Sequence, residues 1–302
     1  MNQEVYHIPA LLKETLEALD VKADGVYVDA TYGGGGHSRA ILEKLGPEGR
    51  LYGFDQDSDA VENAMTDARF TMVYGNFKYL SNFLRFYKVD SVDGILADLG
   101  VSFHHFDDAE RGFSFRSDSR LDMRMNRNSR LSAIEVVNEY SENNLANILY
   151  LYGEVSKARP MAKAIVKARS AGRLETVGQL LEIIDPFIDK RREKKDLACV
   201  FQALRIEVNG ELDALRQFLA QTVNVLRPGG RLAVITYHSL EDRLVKNFMR
   251  SGNFEGKIET DIYGRTNVSL KSITSKPVTA SEAEIEANPR SRSAKLRVAQ
   301  KL

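Results

Sequence analysis

The chain has 302 residues, 42 basic and 42 acidic side chains, and one cysteine, Cys199. This length predicts one or two domains, and a single cysteine excludes a disulfide framework or a cysteine-rich metal centre. A neutral total charge argues against a general nucleic-acid coat. No apolar run approaches the about 20 residues that cross a bilayer, and the first residues lack the pattern of a signal peptide. We therefore expect a cytoplasmic protein without a membrane segment.

The first third of the chain alternates strand-like and helix-like segments. Strands are predicted over 25–31, 50–55, 70–74 and 92–98, with helices at about 39–45, 58–66 and 78–87 between them. Such alternation predicts a parallel sheet with crossover helices, which is an α/β fold.

The rhythm changes in the middle of the chain. Between about 106 and 197 the patterns are helical only, and the α/β rhythm then resumes with a helix through 215–225. A turn at 228–230, a strand at 231–237, a helix at about 240–249 and two late strands near 268–274 and 294–298 follow. The simplest architecture is a Rossmann-like sheet domain interrupted by an all-helical insertion. We place its boundaries at 1–105, 106–200 and 201–302.

Four consecutive glycines, Gly33 to Gly36, separate the first predicted strand from the first predicted helix. Without Cβ atoms, such a loop can turn at positive φ and let a ligand approach the backbone. A strand, a glycine turn and a helix form the nucleotide-binding corner of a Rossmann-type sheet. The dinucleotide fingerprint is not matched, because Ser38 stands where its third glycine would be.

Acidic residues near this loop indicate which ligand it holds. Asp55 ends the second predicted strand, where a carboxylate can accept the ribose hydroxyls of either NAD or S-adenosylmethionine. Asp29 directly precedes the loop; it suits a cationic methyl donor and would repel a pyrophosphate. These features favour S-adenosylmethionine over NAD, and a glycine turn without a ligand stays open. Asp98 ends the fourth strand and would either contact the ligand or cap a turn.

Eight segments follow one another along the chain: DATYGGGGHS at 29–38, GFDQD at 53–57, ADLGVS at 97–102, DDAERGFSF at 107–115, LDMRM at 121–125, FQALRIEVN at 201–209, LRPGGRLAVITYHSLED at 226–242 and NPRSRSAKLR at 288–297. Together they closely resemble the bacterial ribosomal RNA small-subunit methyltransferase H family, also called MraW. The resemblance runs nearly end to end. It implies a mostly parallel, seven-stranded methyltransferase sheet and methylation of the exocyclic N4 of one cytidine in the decoding centre of 16S rRNA, near the P site.

The resemblance also implies roles for single residues. Gly34, Gly35, Gly36 and His37 would line the methionine end of S-adenosylmethionine, and Asp55 would hold its ribose. Phe77 would pack on the adenine, although an ordinary core aromatic is the alternative. Asp98 would lie beside the donor. His105 stands where the family has a glutamine that contacts the donor. The family further suggests a homodimer and the small ribosomal subunit as partner.

The acceptor chemistry points to Asp98 and His238. Many amino methyltransferases orient the amine with an Asn/Asp-Pro-Pro-Tyr/Phe segment, which this chain lacks. Asp98 stands in its place, so we expect its carboxylate to orient the amine of a flipped base. Tyr237 and His238 follow the fifth strand and could contact that base. The alternative is a helix start, with Ser239 as N-cap and Asp242 at N3.

Basic and amide residues suggest further contacts with RNA. Substrate contacts are predicted for Arg205 and Asn209 on one helix and for Arg290, Arg292 and Lys295 near the C-terminus. Between 155 and 173 the chain carries six basic residues and no acid: Lys157, Arg159, Lys163, Lys167, Arg169 and Arg173. We interpret this run and the basic segment 288–302 as contacts with the RNA backbone; a solvated helix face is the alternative.

The histidines show no metal-ligand spacing, so no catalytic metal is predicted. Three competing functions stay open at this stage: an NAD oxidoreductase, a non-catalytic ribosome-assembly factor that keeps the fold, and a methyltransferase of another RNA base.

Overall fold

The computed structural model describes residues 9–100, 111–260, 263, 266 and 268–302. The chain divides into two compact units. We call Met1–Gly100 with Leu212–Leu302 the sheet unit, and Val101–Glu211 the helical unit.

The sheet unit contains an eight-stranded sheet. Its strands are β1 (Val26–Asp29), β2 (Arg50–Asp55), β3 (Phe70–Tyr74), β4 (Val92–Asp98), β5 (Leu226–Thr236), β6 (Leu270–Ser272), β7 (Val278–Thr279) and β8 (Lys295–Lys301). They lie in the order β3-β2-β1-β4-β5-β8-β6, and β7 pairs with β8. Strands β1 to β5 are parallel, whereas β8 runs antiparallel to β5, β6 and β7.

The predicted α/β fold with a mostly parallel sheet is therefore confirmed, but the strand count of seven is wrong. The additional strand is β7, whose two residues are too few to show an alternating pattern. The predicted turn at Pro228–Gly230 also differs, because these residues lie inside β5. The register between β4 and β5 shifts there, as expected of a β-bulge.

Helices of the sheet unit cross between the strands. They are α1 (Leu12–Leu19), α2 (Gly36–Lys44), α3 (Ser58–Glu62), α4 (Leu80–Phe86), α11 (Ser239–Ser251) and α12 (Glu282–Ala287), and α10 (Glu211–Val225) enters this unit at Leu212. Apolar side chains from α1, α2 and the central strands form one buried core, with Leu19, Ile41, Leu96 and Ile235 fully or almost fully buried.

The helical unit is built from α5 (Ala133–Glu139), α6 (Glu142–Gly153), α7 (Ala158–Arg169), α8 (Val177–Ile184) and α9 (Glu193–Asn209). Its core runs into the end of α9, where Phe201, Leu204 and Val208 are buried among the other helices. The predicted boundary at 200 is therefore wrong, since it would cut α9 within its buried stripe; the unit ends at Glu211. The predicted boundary at 105 lies outside the described residues.

In the part of the chain that the structure describes, no helix has the length and apolar character needed to cross a membrane.

Candidate functional site

Three aspartates mark one edge of the sheet. Asp29, Asp55 and Asp98 are the last residues of β1, β2 and β4, which are adjacent and parallel. Because the carboxyl ends of parallel strands meet at one edge, the three carboxylates lie at the edge where open α/β sheets bind ligands. The sequence predicted this arrangement, since each acid directly follows a strand pattern.

The glycine loop connects β1 to α2, and its glycines differ in what they touch. Gly33 and Gly35 have positive φ angles of 52° and 73°. A Cβ atom on Gly35 would lie 2.6 Å from the Tyr32 hydroxyl oxygen, and one on Gly36 would lie 3.0 Å from the Pro9 ring. A Cβ atom on Gly34 would meet no atom within 4 Å. Backbone conformation or packing therefore accounts for the glycines at positions 33, 35 and 36. At Gly34 the missing side chain leaves a space that no described residue fills.

Asp29 is buried beneath the loop, with 1% of its surface exposed. Its carboxylate accepts hydrogen bonds from the Ser38 hydroxyl at 2.7 Å and from the Thr31 backbone N–H at 3.1 Å. Burial raises the pKa of Asp29 above its usual value, although nearby His37 and these hydrogen bonds oppose the rise. Ser38, which the sequence showed only as a departure from the dinucleotide fingerprint, thus has a structural task.

Asp55 ties the loop to β2. Its Oδ2 accepts from the Gly33 N–H at 2.8 Å and its Oδ1 from the Asp57 N–H at 2.9 Å. Each carboxylate oxygen can accept a second hydrogen bond. The group is therefore held in place at the end of β2.

Asp98 lies close to His37. Its backbone N–H donates to the Thr31 hydroxyl at 2.7 Å, and its Oδ1 accepts from the Gly100 N–H at 3.4 Å, as in an aspartate turn. Its Oδ2 lies 3.5 Å from Nε2 of His37. The predicted turn role is therefore present, and the outer oxygen faces an imidazole. Sequence reasoning missed Thr31, which positions the Asp98 backbone.

His37 is 5% exposed, and neither of its ring nitrogens has a hydrogen-bond partner. Buried polar atoms normally find partners, so an unpaired imidazole needs an explanation. It lies in the first turn of α2, three residues after Gly34, where a Cβ atom would meet open space. A polar ligand in that space would supply the missing partner.

Tyr237 joins the same group of side chains. It directly follows β5, its ring packs on Gly100, and its hydroxyl hydrogen-bonds to the Asp98 carboxylate. Burial raises the pKa of Tyr237 far above its usual value, and the Asp98 carboxylate raises it further. The hydroxyl therefore stays protonated and acts as a donor to Asp98.

His238 is the N-cap residue of α11, without a side-chain capping bond. The predicted capping by Ser239, with Asp242 at N3, is therefore wrong. Glu241 occupies N3, accepts from the Tyr237 N–H at 3.1 Å, and places Oε1 3.0 Å from Nε2 of His238. Asp242 instead forms a two-point pair with Arg297 on β8. The sequence indicated Glu241 only as a first-turn acid.

The other predicted cofactor contacts are less defined. Phe77 lies in a short 3₁₀ turn and packs edge-on against Phe218, with ring centroids 5.2 Å apart. This contact matches the alternative of a core aromatic, so stacking on adenine stays a prediction. His105 lies outside the described residues.

The structure gives the predicted substrate residues of the helical unit structural partners. Arg205 forms a two-point ion pair with Glu211 at 2.9 and 3.1 Å. Asn209 donates to the carbonyls of Met123 and Arg205 and accepts from the Met125 N–H. Their contact with substrate stays a prediction.

The basic C-terminal segment is only partly available. Arg290 and Arg292 are exposed on a 3₁₀ turn, and Lys295 is half-buried at the start of β8. Arg297 is buried in its pair with Asp242. It is therefore a structural residue and does not belong to the predicted basic surface.

Known proteins match this chain over nearly its whole length. Residues 4–302 match the family described as the MraW methylase family. A ribosomal RNA small subunit methyltransferase H from Bacteroides thetaiotaomicron is 58% identical over 98% of this chain and 97% of its own length. Proteins with the same name from Parabacteroides distasonis and Porphyromonas gingivalis are 58% and 57% identical. They cover 98% and 99% of this chain, and 98% of each relative is matched.

Proposed function

Since the chain belongs to the MraW methylase family, we propose that it methylates the exocyclic N4 of a cytidine in the decoding centre of 16S rRNA. The enzyme is an S-adenosylmethionine-dependent methyltransferase, so the NAD oxidoreductase and the non-catalytic assembly factor are no longer alternatives. The name shared by the relatives supports RNA of the small ribosomal subunit as acceptor. The base and its position rest on the resemblance of the ordered motifs. A cytoplasmic location and a homodimer stay predictions.

The sheet edge suits the methyl donor. The open space at Gly34 would let the methionine end of S-adenosylmethionine approach the loop backbone. The His37 imidazole, which has no hydrogen-bond partner, could bind its polar groups. Asp55 is positioned to accept the two ribose hydroxyls at the end of β2. Asp29 and Asp98 supply negative charge near the cationic donor. S-adenosylmethionine, when bound, supplies the methyl group. Side chains of the protein bind the donor, orient the amine and accept its proton.

Asp98 carries the proposed acceptor chemistry. The lone pair of a cytosine amine is delocalised into the ring, so the nitrogen must be oriented toward the methyl carbon and must lose a proton as the new bond forms. The Asp98 carboxylate can accept a hydrogen bond from the amine N–H and then its proton. S-adenosylmethionine, held at the glycine loop and Asp55, would supply the methyl group and would retain the electron pair of the broken bond on its sulfur.

The surroundings of Asp98 support this role. Thr31 fixes its backbone, and the Tyr237 hydroxyl donates to its carboxylate. Such fixed donors hold the carboxylate in one orientation before the substrate arrives, which is the condition for efficient catalysis. We propose that Tyr237 and His238 contact the flipped base beside it.

The test compares Asp98→Asn and Asp98→Ala with the wild type. We expect the rate of methyl transfer at saturating substrates to fall about 10²–10⁴-fold, as when a general base is removed, while both variants stay folded. Asp24→Asn is the matched control, because Asp24 is an exposed acid of the same unit. Radiolabelled transfer to small subunits that lack the modification measures the rate, and mass spectrometry of the nucleosides identifies the methylated atom.

Two results would contradict the proposal. A folded Asp98→Asn variant with the wild-type rate would remove Asp98 from the chemistry. A product other than N4-methylated cytidine would change the acceptor while leaving the methyltransferase assignment intact. Parallel reactions with free 16S RNA and with assembled subunits show which of them is the substrate.

A further inference from the structure

The basic run at 155–173 does not form one uniform surface. Arg169 donates from Nη1 to the Val137 carbonyl at 2.9 Å. Arg173 pairs with Glu135 at 3.1 Å and lies 3.9 Å from Glu139. These two cations therefore hold α7 and the segment after it against α5, and their charges are used within the helical unit.

The other four cations of the run are Lys157, Arg159, Lys163 and Lys167, which we call the basic row. All four are exposed, and within the described part of the chain no acidic side chain lies within ion-pair distance of them. Arg159, Lys163 and Lys167 are spaced four residues apart, so they share one face of α7. The opposite face packs Met161 and its apolar neighbours into the core of the unit.

This arrangement opposes the stability of α7. Like charges four residues apart repel one another on a helix, and cations near a helix N-terminus oppose the helix dipole. The first turn of α7 contains no acid, and its N-cap residue, Lys157, makes no capping bond.

Three other helices of this unit begin differently, whereas α9, like α7, has no side-chain capping bond. Helices α5, α6 and α8 start with the capping side chains of Ser132, Ser141 and Thr176, and the first and last of these form complete capping boxes. The same unit thus contains well-capped helices and one helix whose exposed cations oppose its stability. A residue pattern that opposes stability while leaving its charges unpaired is expected at a binding surface.

We propose that the basic row binds the phosphate backbone of the RNA substrate; this inference rests on the proposed function. From Arg159 to Lys167 the row extends about 12 Å along the helix, at about 1.5 Å per residue. A linear series of cations on flexible stems suits a linear polyanion. These point charges give affinity and position rather than sequence recognition.

A lipid surface fits the row less well. Amphipathic helices that bind membranes bury a large apolar face in the headgroup region. The apolar face of α7 already packs into the core, and its exposed positions are Arg159, Pro160, Lys163 and Lys167. An acidic protein is the other alternative, and the experiment distinguishes it from RNA.

The test variant replaces Arg159, Lys163 and Lys167 by glutamine together. Its control replaces Arg191, Lys194 and Lys195 by glutamine, which removes the same charge from exposed positions of the same unit. The control segment is charge-balanced, because Lys190 pairs with Asp185 and Glu193 there. Fluorescence anisotropy measures the affinity of each protein for a 16S RNA fragment containing the decoding centre over a range of KCl concentrations.

We expect the slope of log K against log [KCl] to become shallower by about 2–3 in the row variant, at about 0.7–0.9 for each lost phosphate contact. The control variant should keep the wild-type slope to within about 0.5, which is less than one contact. The melting temperature of the row variant should be equal or higher, since the repulsion along α7 is removed.

Three outcomes would overturn the inference. They are a wild-type salt slope in the row variant, an equal change in the control, and weaker binding to assembled subunits with unchanged binding to free RNA. The last outcome would indicate a protein partner. Failure of the proposed function is a separate result, because it is measured on the wild-type enzyme as methyl transfer that is absent or directed to another atom, and it does not change the difference in salt slope between the row variant and the control.

Discussion

Polar side chains on α9 of the helical unit and at the ligand edge of the sheet unit differ in whether they have partners. In the helical unit, Arg205 pairs with Glu211, and Asn209 makes three hydrogen bonds. At the sheet edge, neither ring nitrogen of His37 has a hydrogen-bond partner. Partnered groups explain stability, whereas unpartnered groups cost stability and are retained where a ligand completes them.

Two carboxyl groups, Asp29 and Asp122, show a similar contrast, although burial also raises the pKa of Tyr140 in the helical unit. At the sheet edge, burial raises the pKa values of Asp29 and Tyr237. In the helical unit, the Arg124 guanidinium lowers the pKa of Asp122 despite the burial of that carboxyl group. A lowered pKa of an acid means that folding favours its charge, and a raised pKa means that folding opposes it. Folding therefore favours the charge of Asp122 in the helical unit and opposes the charge of Asp29 at the sheet edge.

The largest expected effect on stability follows from Asn209→Ala. The substitution removes three hydrogen bonds and leaves a backbone N–H and two carbonyls without that partner. At about 0.5–1.5 kcal/mol for each net bond, the free energy of unfolding should fall by about 2–4 kcal/mol in urea titrations. Asn143→Ala is the control, because Asn143 is exposed on α6; it should stay within about 0.5 kcal/mol.

The same variant tests the predicted substrate contact. If Asn209→Ala keeps wild-type stability but loses affinity for RNA, the side chain belongs with the ligand-binding groups and the comparison fails for it. If stability falls and the remaining folded protein binds RNA normally, its role is to connect α9 to the loop around Met123 and Met125.

Asp29→Asn should have an intermediate effect, and it should raise the free energy of unfolding instead of lowering it. The raised pKa of Asp29 means that its charged form is disfavoured in the folded protein. The contribution of Asp29 to the free energy of unfolding therefore falls as the pH rises from the ordinary aspartate pKa of about 3.9 through the higher pKa of the folded protein. The neutral amide lacks this penalty. Its one carbonyl oxygen can accept from the Thr31 N–H, and its NH₂ group can donate to the Ser38 hydroxyl oxygen.

We expect Asp29→Asn to be more stable than the wild type by about 0.5–2 kcal/mol at neutral pH, as for other exchanges of function for stability. The advantage should vanish below the ordinary aspartate pKa, and affinity for S-adenosylmethionine should fall. Thermal unfolding at several pH values and calorimetry with the donor measure the two effects. A variant that is less stable at neutral pH would show that the carboxylate is needed for packing.

The sequence predicted the features that depend on local pattern. Asp29, Asp55 and Asp98 each end a strand, so parallel pairing alone brings them to one edge. The end of the helical unit was misplaced because a recognisable segment begins at Phe201, whereas the domain follows the buried stripe of α9. The start of a sequence motif therefore does not mark the start of a folding unit.

Contacts between segments that are distant in the chain could not be predicted from local sequence patterns. Arg297 belongs to a basic segment, yet it pairs with Asp242, 55 residues earlier. Only the register of β8 on β5 brings this arginine to α11. The difference between paired and unpaired cations on α7 likewise depends on what α5 presents to Arg169 and Arg173.

The smallest effect on stability is expected for Gly34→Ala, and it tests the ligand edge most directly. A Cβ atom at Gly34 meets no atom within 4 Å, and the same holds for Gly172 in the helical unit. Each alanine should therefore raise the free energy of unfolding by about 0.4–1 kcal/mol through the unfolded state. The two variants should part in calorimetry with S-adenosylmethionine: Gly34→Ala should bind at least about tenfold more weakly, or about 1.4 kcal/mol, because its methyl group occupies the space left for the donor. Equal donor affinity in both variants would show that the space at Gly34 is solvent and not part of the donor site.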